Sequence, residues 1–199
     1  MKRNSWQEYQ KEVADDRYYY LRSCIRQNFF PGSEKAFVRI LRQELGRDLF
    51  DDPVHTSCTG IGYHSDIVPL ETIMTVVARQ FALASEAGYE NLAVSCITSF
   101  GIYTEILETW QEFPELEAKV REHLFRATGR EFRKPKNVSH ASDIIFHHRE
   151  AIRQRAAYLL VNRRTGEPLR GVEHIGCHYA KIFPKEVSAA WSFLMCLPA

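Results

Sequence analysis

The stretch "RYYYLRSC", residues 17–24, places three tyrosines and a leucine between two arginines and stops at a cysteine. Large aromatic and aliphatic side chains in so short a run suit a strand buried in a sheet. "NFFPGS", residues 28–33, follows as a turn, so Cys24 stands where a strand hands over to a helix. The pattern recurs. "DLFDDPVHTSC" carries a short extended piece into Cys58, "NLAVSC" ends at Cys96, and "GVEHIGC" ends at Cys177.

The intervening segments have helical periodicity. Ser33 is placed to cap a helix with apolar positions Ala36, Phe37, Ile40, Leu41 and Leu45, and Gly46 is placed to stop it. A stronger helix is expected from about Pro69 to Ala87, with Leu70, Ile73, Val77 and Phe81 as its stripe and Gly88 as its end. Ile102, Ile106, Leu107, Trp110 and Phe113 mark the next helix, which Pro114 breaks. "ELEAKVREHLFRATG" is amphipathic, with Glu117 and Arg121 one turn apart. A last helix is expected from Ser142 to about Tyr158, and "NRRTGEPLRG" is the best loop and boundary. Alternating strands and helices predict an α/β fold, a mostly parallel sheet with flanking helices. In such a sheet the strand ends share one edge, which is where these folds place their sites. Cys24, Cys58 and Cys96 therefore converge although they are distant in sequence.

The chain has 199 residues, 45% of them hydrophobic, enough for a proper core. Its net charge of +1 offers no electrostatic case for nucleic acid or an anionic membrane. The opening residues are too polar for a signal peptide and no stretch suits a membrane span, so a cytoplasmic protein is the expectation. Five cysteines without an export signal favour metal or redox chemistry over disulfides. Buried free thiols are the plain alternative, but scattered core cysteines have no reason to occupy strand ends repeatedly.

The cysteine contexts also repeat. "CIRQNFFPGSEKA" from Cys24 and "CHYAKIFPKEVSA" from Cys177 share a Phe-Pro pair at the same offset, Phe30-Pro31 and Phe183-Pro184. Shifting the first unit onto the second places the counterparts of Cys58 and Cys96 beyond Ala199, so a second unit cut short is expected.

These residues resemble the B subunit of heterodisulfide reductase, whose duplicated domain is named for a Cys-Cys-Gly motif. The family pattern is a Cys, then Cys-Cys, then Cys-x-x-Cys at spacings of thirty-odd residues. Here Cys24, Ser57-Cys58 and Cys96-Ile97-Thr98-Ser99 follow that spacing, and "HIGCHYAKIFP" looks like the opening of the second domain. "CTGIGYHSDIVP" and "SCITSFGIYTE" look like a bacterial branch. The resemblance implies one complete Cys-Cys-Gly-type domain at residues 1–165 and an incomplete second at 166–199. It implies an oxidoreductase that cleaves a disulfide, the CoB–CoM heterodisulfide or a related one, within a complex. A flavoprotein and a ferredoxin-like subunit would supply electrons. Cys24, Cys58 and Cys96 match cluster ligands, Ser57 and Ser99 stand where two more cysteines would be, and Cys177 matches in the second, incomplete site. An iron–sulfur cluster of [4Fe-4S] type is the expected cofactor. Zinc is the alternative, with His64 as fourth ligand in a Cys₃His site, in a non-enzymatic docking module that holds zinc or no metal. His64 is otherwise a candidate proton donor to a substrate thiolate, or a structural turn residue.

Other motifs are weaker. Gly60-Ile61-Gly62 lacks the third glycine of a dinucleotide loop and has no Walker lysine. His147 and His148 are adjacent on an expected helix and diverge too far to chelate one ion from one face. His174 and His178 flank Cys177 as supporting groups. Ser99 is well placed to cap a helix but has no base and acid to make it a nucleophile.

Overall fold

The computed structural model describes residues 13, 16–55, 60–155, 162 and 164–167. At its centre is β1 (Arg17–Leu21), in which Tyr18, Tyr19, Tyr20 and Leu21 are all buried. A strand buried on both faces is the mark of a parallel sheet covered on both sides. The other strands are β2 (Asp48–Phe50), β3 (Asn91–Val94) and β4 (Asn137–His140). They form one sheet in the order β2-β1-β3-β4, and every pairing is parallel. The α/β reading of the sequence is thus met.

Helices fill the connections. α1 (Cys24–Phe29) follows β1 directly, and α2 (Pro31–Arg39) runs on into a π-helical turn (Ile40–Glu44). After β2 come α3 (Gly60–His64) and α4 (Leu70–Glu86). β3 leads into α5 (Ile97–Glu112) and α6 (Pro114–Thr128), and β4 into α7 (Ala141–His147) and α8 (Arg149–Arg155). α4 starts after Pro69 and ends before Gly88, whose φ of 79° turns the chain back toward β3. It buries Ile73, Val77 and Phe81 of the expected stripe, with Met74 and Ala78 beside them, while Leu70 at its first position is exposed. No helix among the described residues is long and apolar enough to cross a membrane.

Two local expectations are corrected, and one strand goes unmarked in the sequence. α2 begins at Pro31, whose fixed φ suits the first turn, so Ser33 lies inside it and its hydroxyl donates to the Phe30 carbonyl at 2.8 Å. The helix expected from Ser142 breaks at buried His148, whose N–H closes α7 on the Ile144 and Phe146 carbonyls before α8 restarts. β4 carries little apolar signal in "NVSH" and forms because its backbone extends the β3 ladder, Val94 pairing with His140. Strand "GVEHIGC" and the second unit lie outside the described residues.

One side of the core is held by aromatic rings. Phe81 of α4, Trp110 of α5 and Phe132 meet with centroids 5.3 to 6.3 Å apart, and Arg121 of α6 lies 4.1 Å above the Phe132 ring while donating to the Phe132 carbonyl. Trp110→Ala is expected to cost about 3–5 kcal/mol of unfolding free energy in a urea melt. Trp110→Phe should cost clearly less, because the indole N–H meets no acceptor among the described residues.

Candidate functional site at the strand ends

All four strands point the same way, so their carboxyl ends share one edge. The chain builds outward from β1 to β2 on one side, then to β3 and β4 on the other. The β1/β3 boundary is therefore the topological switch point, where α/β folds open a crevice. The register sets what meets there. Leu21 pairs with Val94, and Val94 with His140, so these three form one row. The Ser95 N–H continues the ladder to the Leu21 carbonyl at 3.3 Å. Just past the row come Ser23 and Cys24 from β1, and Ser95 and Cys96 from β3.

Ser23 is the N-cap of α1, its hydroxyl accepting from the Arg26 N–H at 3.2 Å. Cys24 is the first residue of that helix, and Cys96 is the N-cap residue of the much longer α5. Both are half-buried free thiols. The end of α5 contributes a partial positive charge where Cys96 sits. Ser99 lies buried in the first turn of α5 rather than ahead of it, and the cap position is taken by Cys96.

Glu34 ties the two strand ends together. Its Oε1 accepts from the Ser23 N–H at 3.0 Å and from the Ser95 hydroxyl at 2.9 Å. The side chain comes from α2 and is buried. Burial raises its pKa above the ordinary carboxylate value, against the opposing effect of those two hydrogen bonds. Arg26 is half-buried beside Cys96; desolvation lowers its pKa, and the nearby sulfur works the other way. His140, the N-cap of α7, accepts from the Ser142 N–H through Nδ1. Desolvation, helped by the Arg26 charge, drives its pKa down to about 3, while a hydrogen bond with the Ser95 backbone opposes the shift.

Two of the expected ligands, Cys24 and Cys96, thus come to adjacent strand ends. Ser57, Cys58 and Cys177 lie outside the described residues. His64 is exposed at the end of α3, which Tyr63 pins to α5 through a 2.9 Å hydrogen bond to Glu105. Gly60-Ile61-Gly62 is helical, and a Cβ on Gly62 would lie 2.9 Å from Val68 Cγ2, so that glycine admits a side chain rather than a phosphate. Among the described residues, no three His, Cys, Asp or Glu side chains form a metal-binding group. Glu34, Arg26 and His140 escape a sequence reading. The signals in the sequence are slight: an arginine two residues after the strand-end cysteine, and a histidine two residues before Ser142 at a helix start.

His140 makes the edge sensitive to acid. Its folded pKa is depressed below its ordinary 6.5, so its contribution to stability is present above pH 6.5 and is lost as pH falls toward about 3. Glu34 runs in the opposite sense: its contribution is present below the ordinary 4.5 and is lost as pH rises through the raised value. Urea midpoints measured from neutral pH down to about pH 4 should therefore fall less steeply for His140→Gln than for the parent chain.

No protein-family model matches the chain. A curated relative, the B subunit of the ferredoxin:CoB-CoM heterodisulfide reductase of Methanosarcina acetivorans, is 26% identical over 180 residues, covering 86% of this chain and 55% of that protein. The chain thus spans about half the length of the curated relative it matches. Among solved structures, a hypothetical protein from Helicobacter pylori superposes with a TM-score of 0.51 at 16% identity, over 73% of this chain and 31% of that one, a likeness of fold. Along most of its sequence the chain is thus similar to a heterodisulfide reductase B subunit.

Proposed function

We propose that this chain is an electron-transfer oxidoreductase subunit, resembling the B subunit of heterodisulfide reductase, that acts in reducing a disulfide through an iron–sulfur site. The observation that carries this reading is the meeting of Cys24 and Cys96 at adjacent strand ends of the switch point. Cys58, on a segment that leads into α3, is the third proposed ligand. The residues present fit such a group in kind. Iron–sulfur clusters are held by thiolates, and the thiols here are half-buried, next to the end of a long helix and a half-buried arginine. Ser57 and Ser99 offer hydroxyls, which ligate iron poorly, so Ser99 is better suited to hydrogen-bonding a cluster sulfur.

A bound cluster would supply electrons at the sheet edge, received from flavoprotein and ferredoxin-like partner proteins. Breaking one S–S bond takes up an electron pair and a proton for each thiolate released. The chain's own residues then have separate tasks. Arg26 offsets negative charge beside Cys96. Glu34 holds Ser23 and Ser95 in place and so fixes the spacing of the two sulfurs. His140, kept neutral, adds no competing charge. His64, exposed at the end of α3, is the proposed proton donor to a departing thiolate.

Anaerobic purification followed by iron, acid-labile sulfide and zinc determination tests the proposal. Iron and sulfide in matched amounts are expected, and Cys24→Ser or Cys96→Ser should each cut iron content about tenfold or more. A chain that carries zinc, or no metal after anaerobic reconstitution, would overturn it in favour of a docking module.

A further inference from the structure

A second site lies on the β2 side of the strand ends. A cleft of ≈ 590 Å³ opens between α2 with its π-helical turn and the ends of β1 and β2. That volume suits a small molecule. Its lining includes Tyr20, Glu34, Arg22, Lys35, Arg39 and Arg42, with Asp51 as the other acid.

The cations differ in what already engages them. Arg22 is spent on Asp51, with two contacts of 2.5 Å. Arg42 is fixed by Nε and Nη2 to the Leu49 carbonyl at 2.9 and 2.5 Å, a neutral acceptor that orients the guanidinium, and it has no ion-pair partner among the described residues. Arg39 and Lys35 are exposed on α2, and Arg39 makes only a loose 3.5 Å pair with Glu44. Beneath this rim are two buried oxygens without hydrogen-bond partners among the described residues, the Tyr20 hydroxyl and Glu34 Oε2. Tyr20 is 1% and Glu34 7% exposed. Buried polar atoms are nearly always paired, so two orphans lining one cleft call for an occupant.

We propose that this cleft binds a small organic anion bearing carboxylate or phosphate groups, its charge met by Arg42, Lys35 and Arg39 and its remaining oxygens by the Tyr20 hydroxyl and the Glu34 carboxyl. A tyrosine hydroxyl donates. Burial raises the Glu34 pKa, which eases protonation of its carboxyl against an anion, and a protonated carboxyl donates. A lining of donors and cations selects a ligand rich in acceptors. Glu34 also holds Ser23 and Ser95, so an occupant would touch the same carboxyl that spaces Cys24 and Cys96. The site itself needs no metal and does not rest on the iron–sulfur reading.

Citrate and inorganic pyrophosphate are suitable carboxylate and phosphate probes, titrated calorimetrically into the full chain at constant ionic strength with chloride as reference. Saturable binding of either is expected, the tighter one naming the acidic group. A Lys35→Gln/Arg39→Gln double variant, altered only at exposed positions, should bind at least tenfold more weakly with an unchanged melting temperature in chloride. Tyr20→Phe should weaken binding severalfold without lowering that melting temperature, because its hydroxyl has no partner to lose. Cys24→Ser and Cys96→Ser should bind as the parent does, which separates this site from the proposed cluster. Heats no larger than those of chloride for both probes would overturn the proposal. So would a double variant that binds like the parent, or binding that the cysteine variants abolish.

Discussion

The parallel pairing of β1 with β3 fixes everything else in the molecule. Tyr19, Tyr20 and Leu21 lie against Leu92, Ala93 and Val94, and both strands are buried on both faces. A slip of one residue would turn each of these side chains to the opposite face of the sheet, against helices shaped for its neighbour. The register is therefore firm, and with it the level at which each strand ends. Glu34 adds a polar check at that level, since one carboxylate oxygen takes a donor from each strand end. Two cysteines far apart in the chain meet as a consequence of core packing, without any contact between them being needed to hold them there.

Legibility in the sequence follows the strength of burial. β1 and β3 can be read directly as short continuous apolar runs and α4 by its helical period, and Pro69, Gly88 and Pro114 punctuate the helices at positions where φ or a missing N–H matters. Placing Cys24 and Cys96 at one edge needs only the inference that the sheet is parallel. β4 is not legible. Its four residues contain one aliphatic side chain, and it exists through backbone pairing to a neighbour that periodicity does not report. The segment around Gly60 has the composition of a tight turn and is a short helix, in which Gly62 leaves room for Val68, a contact across several residues.

The polar part of the site is hidden for a related reason. Glu34 belongs to α2, which looks like an ordinary surface helix, and only the packing of that helix over the sheet edge buries its carboxyl among strand-end donors. Arg26 and His140 acquire meaning only when α1 and β4 are brought to the same row. Sequence patterns mark the residues that drive folding. They mark poorly those that folding places in an unusual environment, and chemistry usually lies with the second group.

The charges at the edge act in one direction. Burial raises the pKa of Glu34 and lowers that of His140, so it opposes the charged form of both groups near the switch point. Arg26, although its pKa is lowered by desolvation, belongs to a residue type that stays protonated in proteins. The partial positive charge at the start of α5 adds to it. Both contribute positive potential beside Cys96. An edge built in this way favours a negatively charged group between Cys24 and Cys96. On the far side of Glu34 the cleft under Arg42 has the same bias. Glu34 therefore stands between the strand-end cysteines and the proposed anion cleft, one carboxyl oxygen held by Ser23 and Ser95 and the other without a partner among the described residues.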